Sequence, residues 1–253
     1  MSRRSSPALF TLMTFAATVL ACTDIPTGST EILSFTINPL PSPSVIVGDT
    51  LRDTLGVARP ITVTAFNFQG DTVTAPRLRF TALSRGIRVD SLTGVVTGDS
   101  VQSGAQIIAA VGSVQSLVSI GVALKPDTMI AANARDSLSY SLTDTTLNVS
   151  PLLGVKLLHG KGPDSAVVGY RVSFKMISPT GTLAQLVNDL GKPGTTADTT
   201  DASGLAQRKI KLNVAQLTSA TDSVVVMASA SYRGVAIRGS PVRLVLKYKL
   251  KSS

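Results

Sequence analysis

The residues that could perform acid–base or metal chemistry are few in this chain of 253 residues. His159 is the only histidine, so a metal site with two imidazole ligands is excluded, and a Ser-His-Asp triad would depend on this residue. The sequence contains no Gly-x-Ser-x-Gly, which would hold a nucleophilic serine on a sharp turn. The residues that follow His159, namely Gly160, Lys161 and Gly162, indicate a solvated loop. We therefore expect His159 to be a loop residue without a catalytic role.

Carboxylates give no stronger indication of catalysis. A glycosidase needs a carboxylate pair, but no pair stands out, and a chain with four tyrosines and no tryptophan has little to stack on a sugar ring. The segment Asp198–Gly204 lacks the alternating oxygen ligands and closing glutamate of an EF-hand. It predicts a tight turn, in which Asp201 and Ser203 bond nearby amides and Gly204 tolerates a positive φ. Gly160–Gly162 lacks the frame of a phosphate-binding loop. We expect no enzyme, no metal and no cofactor.

A set of cations is the constellation with the clearest binding chemistry. Its members alternate with apolar residues in predicted strands: Arg171, Lys175, Lys209, Lys211, Arg243, Lys247 and Lys249. If these strands neighbour one another, the cations form a ridge that attracts an anionic polymer, either an anionic polysaccharide (lipopolysaccharide or an acidic exopolysaccharide) or nucleic acid. An envelope protein is the other candidate partner of the chain. Nucleic acid is a disfavoured partner, because the aromatic residues that stack single-stranded bases are nearly absent there. The favoured interpretation is that these cations lie on solvated strand faces, where their charge discourages pairing of exposed strand edges with other chains.

The single cysteine, Cys22, closes the most apolar stretch of the chain. Arg3 and Arg4 precede a run from Ala8 to Ala21 without any charge. That run is shorter than the roughly 20 residues that span a bilayer. A basic start, a short apolar run and small residues at the end are typical of a secretory signal peptide, here residues 1–21. One cysteine forms no intramolecular disulfide, so the folded part must rely on a hydrophobic core.

Val19-Leu20-Ala21-Cys22 resembles the lipobox of bacterial lipoproteins, although Leu20 is bulkier than the residue usual there. The resemblance implies cleavage before Cys22, which would receive acyl chains, palmitate among them, and anchor the protein in a membrane. Burying an acyl chain in the membrane contributes about 0.8 kcal/mol per methylene, so one acyl chain gives marginal membrane binding and two or more give stable anchoring. Thr23 follows the cysteine and Asp24 comes one residue later. By the same resemblance, this placement of the aspartate favours the outer membrane.

Strand patterns dominate the rest of the chain. Leu78, Phe80 and Ala82 alternate with polar residues, and the segments 170–176, 209–214 and 242–250 show the same period of two. Turn signals such as Gln69-Gly70-Asp71 separate such runs. This pattern is typical of sheets with one buried face, and it predicts an all-β fold of two tandem immunoglobulin-like β-sandwiches. Only 183–190 indicates a short helical turn.

A step in charge divides the mature chain. Residues 22–124 hold six arginines against seven acids, whereas 126–253 hold fifteen lysines and arginines against eight acids. The Lys125-Pro126-Asp127 break lies between them. We expect a tether at 22–32, a first domain at 33–124, a linker at 125–134 and a second domain at 135–250. As a coil, residues 23–31 reach about 15 to 18 Å, enough to lift the first domain off a lipid surface.

Residues 33–124 resemble the group 2 bacterial Ig-like domain. The matching residues are Gly48-Asp49-Thr50, Phe80 (where the family often has Trp), Val89-Asp90, Gly94–Gly98 and Gly104-Ala105 before Ile107. Asn67 departs from the family, in which an aspartate commonly precedes the Gly70 turn.

Residues 135–250 look like the group 1 bacterial Ig-like domain of invasin and intimin. The resemblance rests on Val168–Phe174 and Thr199–Ala206, with departures at Leu157–Ala166 and in the long connection from Ile177 to Asp198. Both families imply non-enzymatic surface spacers, stalks or adhesive modules.

Together these observations predict a lipid-anchored, non-enzymatic protein of the cell envelope with a structural or adhesive role. The first domain would be a spacer and the second a binding surface. An alternative is a periplasm-facing accessory subunit that docks an envelope complex by strand addition or sandwich packing. A third class, an envelope hydrolase, would need catalytic residues that the sequence does not offer.

Overall fold

The computed structural model describes residues 31–74, 76–160, 165–179, 181–194, 196–217, 219 and 221–251. The predicted signal peptide, Cys22 and all of the predicted tether except residues 31 and 32 lie outside the described residues. Within the described ranges the structure holds β-strands, the short 3₁₀ helices Thr145–Leu147 and Val214–Gln216, and no α-helix. No helix among these residues has the length and apolar character needed to cross a bilayer.

The first sandwich is built from two main sheets. Its strands are β1 Ser34–Ile37, β2 Ser44–Ile46, β3 Val63–Phe66, β4 Thr72–Val73, β5 Leu78–Ala82, β6 Ile87–Val89, β7 Val96–Gly98, β8 Gln102–Val111 and β9 Val114–Ala123. One sheet has the order β1-β3-β4 and the other β2-β9-β8-β5, with β6 and β7 as a separate pair. The core between them contains Phe80, Val96, Ile107 and Ile120, which are all buried.

The second sandwich has larger sheets. Its strands are β10 Thr128–Asn133, β11 Arg135–Tyr140, β12 Leu153–Leu158, β13 Arg171–Ser178, β14 Ala184–Val187, β15 Ala197–Thr199, β16 Leu205–Leu212, β17 Thr221–Ser229, β18 Ser231–Tyr232, β19 Val235–Ala236 and β20 Val242–Leu250. Four strands form the sheet β10-β12-β16-β14 and five form the sheet β11-β20-β17-β13-β15. The hairpin of β18 and β19 stands apart from both.

The strand order of the second sandwich is that of the immunoglobulin fold. In that fold the first, second, fifth and fourth strands share one sheet, and the third, sixth and seventh share the other. Here β10-β12-β16-β14 and β13-β17-β20 correspond to the two sheets. In both sandwiches an early strand also pairs in parallel with the last one, β2 with β9 and β11 with β20. The predicted all-β fold of two Ig-like sandwiches is therefore confirmed.

The predicted alternation along the strands is confirmed as well. In β13, Val172 and Phe174 are buried while Arg171, Ser173 and Lys175 are exposed. In β20, Leu244, Leu246 and Tyr248 are buried while Arg243, Lys247 and Lys249 are exposed. Each sheet thus has one face in the core and one in solvent, as a period of two requires.

The two cores meet at the junction of the domains. Ile46 and Ala123 end the paired strands β2 and β9 of the first sandwich, yet both pack in the hydrophobic core of the second. Leu124, the next residue along the chain, also packs against that core. Apolar burial at the junction removes surface from water on both sides, so it favours one fixed arrangement of the sandwiches.

Two local assignments differ from the sequence predictions. Residues 128–133, expected within a linker, form β10, which pairs with β12 and buries Met129. The expected helical turn at 183–190 contains strand β14, in which Ala184 and Val187 are buried and which pairs with β16. Both segments are short, and their sheet neighbours decide their conformation more than their own propensity does.

Several turns are fixed by an aspartate or asparagine side chain that accepts nearby backbone amides. Asp90 Oδ1 accepts the amides of Leu92 and Thr93, and Gly94 follows with φ of 71°. A glycine is needed there, because an added Cβ would lie 2.8 Å from the ring of Phe80. Such Asx turns fix the chain reversal through a side-chain acceptor.

The predicted turn at Asp201 is of the same kind. Asp201 Oδ1 accepts the amides of Ser203 and Leu205, and Gly204 has φ of 76°. Asn67 does the same for Gln69 and Asp71 ahead of the Gly70 turn. The departure from aspartate at position 67 therefore preserves the turn chemistry.

Candidate functional site: the domain junction, its groove and a cationic sheet face

A buried carboxylate joins the two domains. Asp49 follows β2 in the first sandwich and is 5% exposed. Arg52 donates to its two oxygens from Nε at 3.0 Å and Nη2 at 2.9 Å, and the Thr50 amide donates at 2.8 Å. From the second sandwich, the Tyr232 hydroxyl donates at 2.8 Å and Arg233 Nε at 2.9 Å. We call Asp49, Arg52, Tyr232 and Arg233 the junction cluster.

The junction cluster holds Asp49 ionised. Burial by itself raises the pKa of this carboxyl, but the hydrogen bonds from Arg52, Arg233, Tyr232 and Thr50 outweigh burial and hold the pKa well below its usual range. Five N–H and O–H groups donate to the Asp49 carboxylate, which has about four lone-pair sites. The carboxylate therefore has no free lone pair that could accept a proton from a substrate. Asp49 is therefore placed to join the domains and not to act as a general base.

A tight hairpin presents the second domain's part of the cluster. Arg233 and Gly234 connect β18 to β19 with φ of 51° and 77°, the positive pair of a type I′ hairpin turn. Such a backbone is unfavourable for arginine, and the ion pair with Asp49 compensates. Gly56 lies against this turn so closely that an added Cβ would be 2.3 Å from the Arg233 carbonyl carbon.

Cations cover the ring of Tyr232. Arg233 lies 5.4 Å and Lys125 lies 5.7 Å from its centroid, within the range of cation–π attraction. Burial, followed by the bond to Asp49, raises the pKa of the Tyr232 hydroxyl. This phenol thus stays a hydrogen-bond donor, which the carboxylate requires.

His159 packs against the chain between the domains. Its Nδ1 lies 2.8 Å from the Lys125 carbonyl oxygen and 3.2 Å from Asp127 Oδ2. The Gly160 amide donates to the same carboxylate at 2.9 Å. The residue follows β12 and is partly exposed, as expected for a loop, but it also fixes the short connection between the sandwiches.

A groove of about 320 Å³ lies beside the junction cluster. Its first-domain side includes Ser42 and Ser44, and its second-domain side includes Arg171, Ser173 and Ser229. Ser44 Oγ is buried and has no hydrogen-bond partner among the described residues. A buried hydroxyl without a partner is unusual in folded proteins, and this one lies within the groove wall, out of contact with solvent.

Tyr170 fixes one wall of the groove. Its hydroxyl donates to the Ser231 carbonyl oxygen at 2.5 Å, and its amide donates to Thr200 Oγ1 at 2.9 Å. Burial raises the pKa of this phenol to about 12. The tyrosine is therefore a structural donor and not a titrating group near neutral pH.

The structure divides the seven predicted cations between two surfaces. Five lie on the outer face of the five-stranded sheet: Arg171 and Lys175 on β13, and Arg243, Lys247 and Lys249 on β20. The other two, Lys209 and Lys211, lie on β16 in the opposite sheet. Lys209 and Lys211 therefore do not share a ridge with the other five, because alternation reveals which way a side chain points but not which sheet holds its strand.

Arg135 on β11 is a cation of this face that the sequence analysis missed. It pairs with Val245 of β20 and alternates with the buried Leu138 and Tyr140. The period of two in Arg135–Tyr140 could have revealed it. We call the outer surface that carries Arg135, Arg171, Lys175, Arg243, Lys247 and Lys249 the cationic face.

The cationic face is a continuous patch of one sign. From β13 to β11 it spans three strand spacings, about 14 Å, and from Arg243 to Lys249 about 20 Å along β20. Lys175 and Arg243 both lie opposite Met227 of the strand between them. None of the six cations forms an ion pair with any described residue. Cations about 10 Å apart repel one another at low salt, so an anionic partner would relieve their repulsion.

Metal chemistry receives no geometric support in the part of the chain that the structure describes. Those residues contain no group of three or more His, Cys, Asp or Glu side chains arranged around a common point. Asp198 and Asp201 are instead used by the protein, in an ion pair with Arg208 at 2.9 Å and in the turn before Gly204.

Comparisons with known proteins give structural likenesses only. No protein-family model matches the chain, and no curated protein matches it. Among solved structures, the chain is similar to domains 4 and 5 of the S-layer protein SbsC, with 14% identity and a TM-score of 0.31 over 87% of this chain and 99% of that one. It is similar to the adhesin InvE of Yersinia pseudotuberculosis, with 16% identity and a TM-score of 0.31 over 87% of this chain and 61% of that one.

A third similar structure is that of the EC1-2 domains of human protocadherin-24, with 15% identity and a TM-score of 0.26 over 86% of this chain and 99% of that one. The chain thus spans nearly all of two of these structures and about three fifths of InvE. Likenesses of this size assign no function. The group 2 and group 1 family memberships stay predictions.

Proposed function

We propose that this protein is a non-enzymatic structural or adhesive component of the cell envelope, anchored by lipid at Cys22, whose two sandwiches form one stiff arm. The arm holds the second domain, with its exposed sheet, away from the membrane. The observation that supports this proposal best is the junction cluster. A linker of few residues with no contacts would leave two domains free to rotate, whereas here a buried carboxylate ties them together.

Two further features support a stiff arm. The apolar contacts of Ile46 and Ala123 continue the second core into the first sandwich. His159 and Asp127 hold the connection between the domains on a second side. Junctions that combine apolar burial with satisfied polar contacts restrict domain motion more than polar contacts alone.

Stiffness can be measured with paired spin labels in the Cys22→Ala background. Ser113→Cys, in the β8–β9 turn, and Ser139→Cys, on β11, are exposed positions in the two domains. We expect one narrow distance distribution, which broadens when Asp49→Asn and Tyr232→Phe are added. A broad distribution in the parent chain would contradict the stiff-arm proposal.

Anchoring and display can be tested by protease treatment of intact cells with detection of the second domain. We expect loss of that domain while a periplasmic marker survives, and release of the Cys22→Ala variant from the membrane fraction. Protection until the outer membrane is broken would contradict surface display and leave the periplasmic accessory subunit. A Cys22→Ala variant that stays membrane-bound, with variant and parent both uncleaved, would contradict the lipid anchor.

A further inference from the structure

We propose that the groove and the cationic face form one continuous binding track for an acidic polysaccharide, with the carboxylates of the polymer on the cations and one sugar residue in the groove. The proposal rests on the proposed function in that it names the partner of the displayed surface.

The groove opens onto the cationic face. Ser173 and Ser229 line the groove and lie opposite each other in the register of β13 and β17. The next outward row of the same sheet is Lys175, Met227 and Arg243. Arg171 belongs to both surfaces, since it lines the groove and lies on the outer side of β13. The residues at the edge of the groove therefore continue directly into the next outward row of the cationic face.

The charges on this path favour an anion. The carboxylates that line the groove are both engaged: Asp49 in the junction cluster, and Asp53 with Arg59 and the amides of Leu55 and Val57. Of the arginines that line the groove, Arg52 and Arg233 are bound to Asp49, whereas Arg171 forms no ion pair with any described residue. Beyond the groove, the outward positions of β11, β13, β17 and β20 present no carboxylate among the described residues.

Hydroxyl groups between the cations favour a saccharide. Serines alternate with basic residues on the face, at Ser137, Ser139, Ser173, Ser223 and Ser229. In the groove, the half-buried Ser42 adds a hydroxyl from the first domain. Serine hydroxyls can form hydrogen bonds with the hydroxyl groups of a sugar ring. The guanidinium and ammonium groups can form charge-assisted hydrogen bonds with the carboxylates of an acidic sugar.

The same surface fits single-stranded nucleic acid less well. Such binders interleave cations with aromatic rings on which bases stack, and the outward positions described on these four strands include no aromatic residue. The groove volume is at the lower end of small-ligand pockets, which suits one or two sugar residues.

The test is binding of the purified full-length protein, in neutral detergent, to polygalacturonate, with dextran as the uncharged comparison. The face variant combines Lys175→Ala, Arg243→Ala and Lys247→Ala. The matched control combines Lys156→Ala, Lys209→Ala and Lys211→Ala, which removes the same charge from the opposite sheet. We expect binding to polygalacturonate only, weakened about tenfold or more in the face variant and less than about twofold in the control.

Ser42→Ala separates a ligand-binding role from a structural one. Ser42 lines the groove, and its Oγ is a long, 3.5 Å acceptor of the Ser44 amide. Removing this hydroxyl should leave thermal stability nearly unchanged, while affinity for polygalacturonate falls about threefold or more, as for the loss of one hydrogen bond. Lower stability with unchanged affinity would overturn the groove as part of the track.

Three results would overturn the proposal. They are the absence of binding, equal weakening by the two triple variants, and tighter binding to an oligothymidylate or to phosphatidylglycerol vesicles than to polygalacturonate. Because binding is measured on purified protein, it can fail while the stiffness and display experiments succeed, and the reverse also holds.

Discussion

At the scale of single residues, Asp49 shows how sequence-distant groups create one site. The Gly48-Asp49-Thr50 turn is visible in the sequence, and its resemblance to a bacterial Ig-like domain concerns the turn alone. Its partners Tyr232 and Arg233 lie 183 and 184 residues away. No periodicity or spacing relates the two segments, so the turn could be predicted but the contact could not.

Replacing Asp49 should weaken the junction strongly. Asp49→Asn leaves Arg52 and Arg233 without their anion, and truncating one partner of a buried charge pair costs about 2 to 5 kcal/mol. Asp99→Asn is the matched control, because its pair with Arg88 is on the surface and should be worth about 1 kcal/mol or less. Urea unfolding of the two variants measures both free energies. Equal losses would contradict the assignment of Asp49 to the junction.

Acid should remove the Asp49 contribution. The native pKa of this carboxyl lies below its ordinary value of 3.8, so its stabilisation is fully present above that pH and is lost as pH falls toward the native pKa. The difference in Tm between the parent and Asp49→Asn should therefore be constant from neutral pH to about pH 4 and shrink by about pH 2. Thermal melts across this range provide the check, and a difference that grows in acid would contradict it.

At the scale of elements, the sequence predicts where many of the strands lie but not which strands are neighbours in a sheet. Alternation identified the outward cations of β13 and β20, because side-chain direction follows from the backbone alone. It could not assign β16 to the opposite sheet, since strand order depends on long-range pairing. Short strands such as β10 and β14 were missed, because four to six residues give too few alternations to separate a strand from a linker or a helical turn.

The β18–β19 hairpin gives a test at this scale. Gly56 and Gly70 have nearly equal φ, 83° and 85°, but only Gly56 faces the Arg233 backbone, while nothing lies within 4 Å of a Cβ at Gly70. Alanine at either position costs about 1 kcal/mol of backbone strain, and the clash at Gly56 adds about 1 to 3 kcal/mol. Only Gly56→Ala should also broaden the spin-label distances. Similar behaviour of the two variants would contradict close packing of the hairpin.

At the scale of the whole molecule, the junction couples the stability of the two sandwiches. Ile46 and Val45 are neighbours in β2, and both are buried, but Ile46 packs in the second core and Val45 in the first. Composition and charge predict a boundary near Lys125 but give no sign that two neighbouring residues of β2 pack in different cores, because both look like ordinary core positions of one strand.

These two residues allow a paired measurement by hydrogen exchange. Ile46→Ala should lower amide protection in β17 of the second sandwich, whereas Val45→Ala should lower it in β8 of the first. Each removes buried apolar groups, at a cost of roughly 1 to 4 kcal/mol. Loss of protection confined to the first sandwich in both variants would show that the cores are independent.

The parallel pairing of β11 with β20 has a consequence for a chain that is synthesised from its N-terminus one residue at a time. The first sandwich can form once residues up to β9 have emerged. The second cannot close its five-stranded sheet until residues 242–250 are free, because β20 lies between β11 and β17. Until then β11 and β17 have no common neighbour, and Ile46 and Ala123 have no core to enter. Such late, long-range closure leaves strand edges exposed for longer. In the first sandwich the same parallel pairing joins β2 to β9 over a shorter stretch of chain. A chaperone that shields nascent strand edges would therefore act for longer on the second sandwich than on the first.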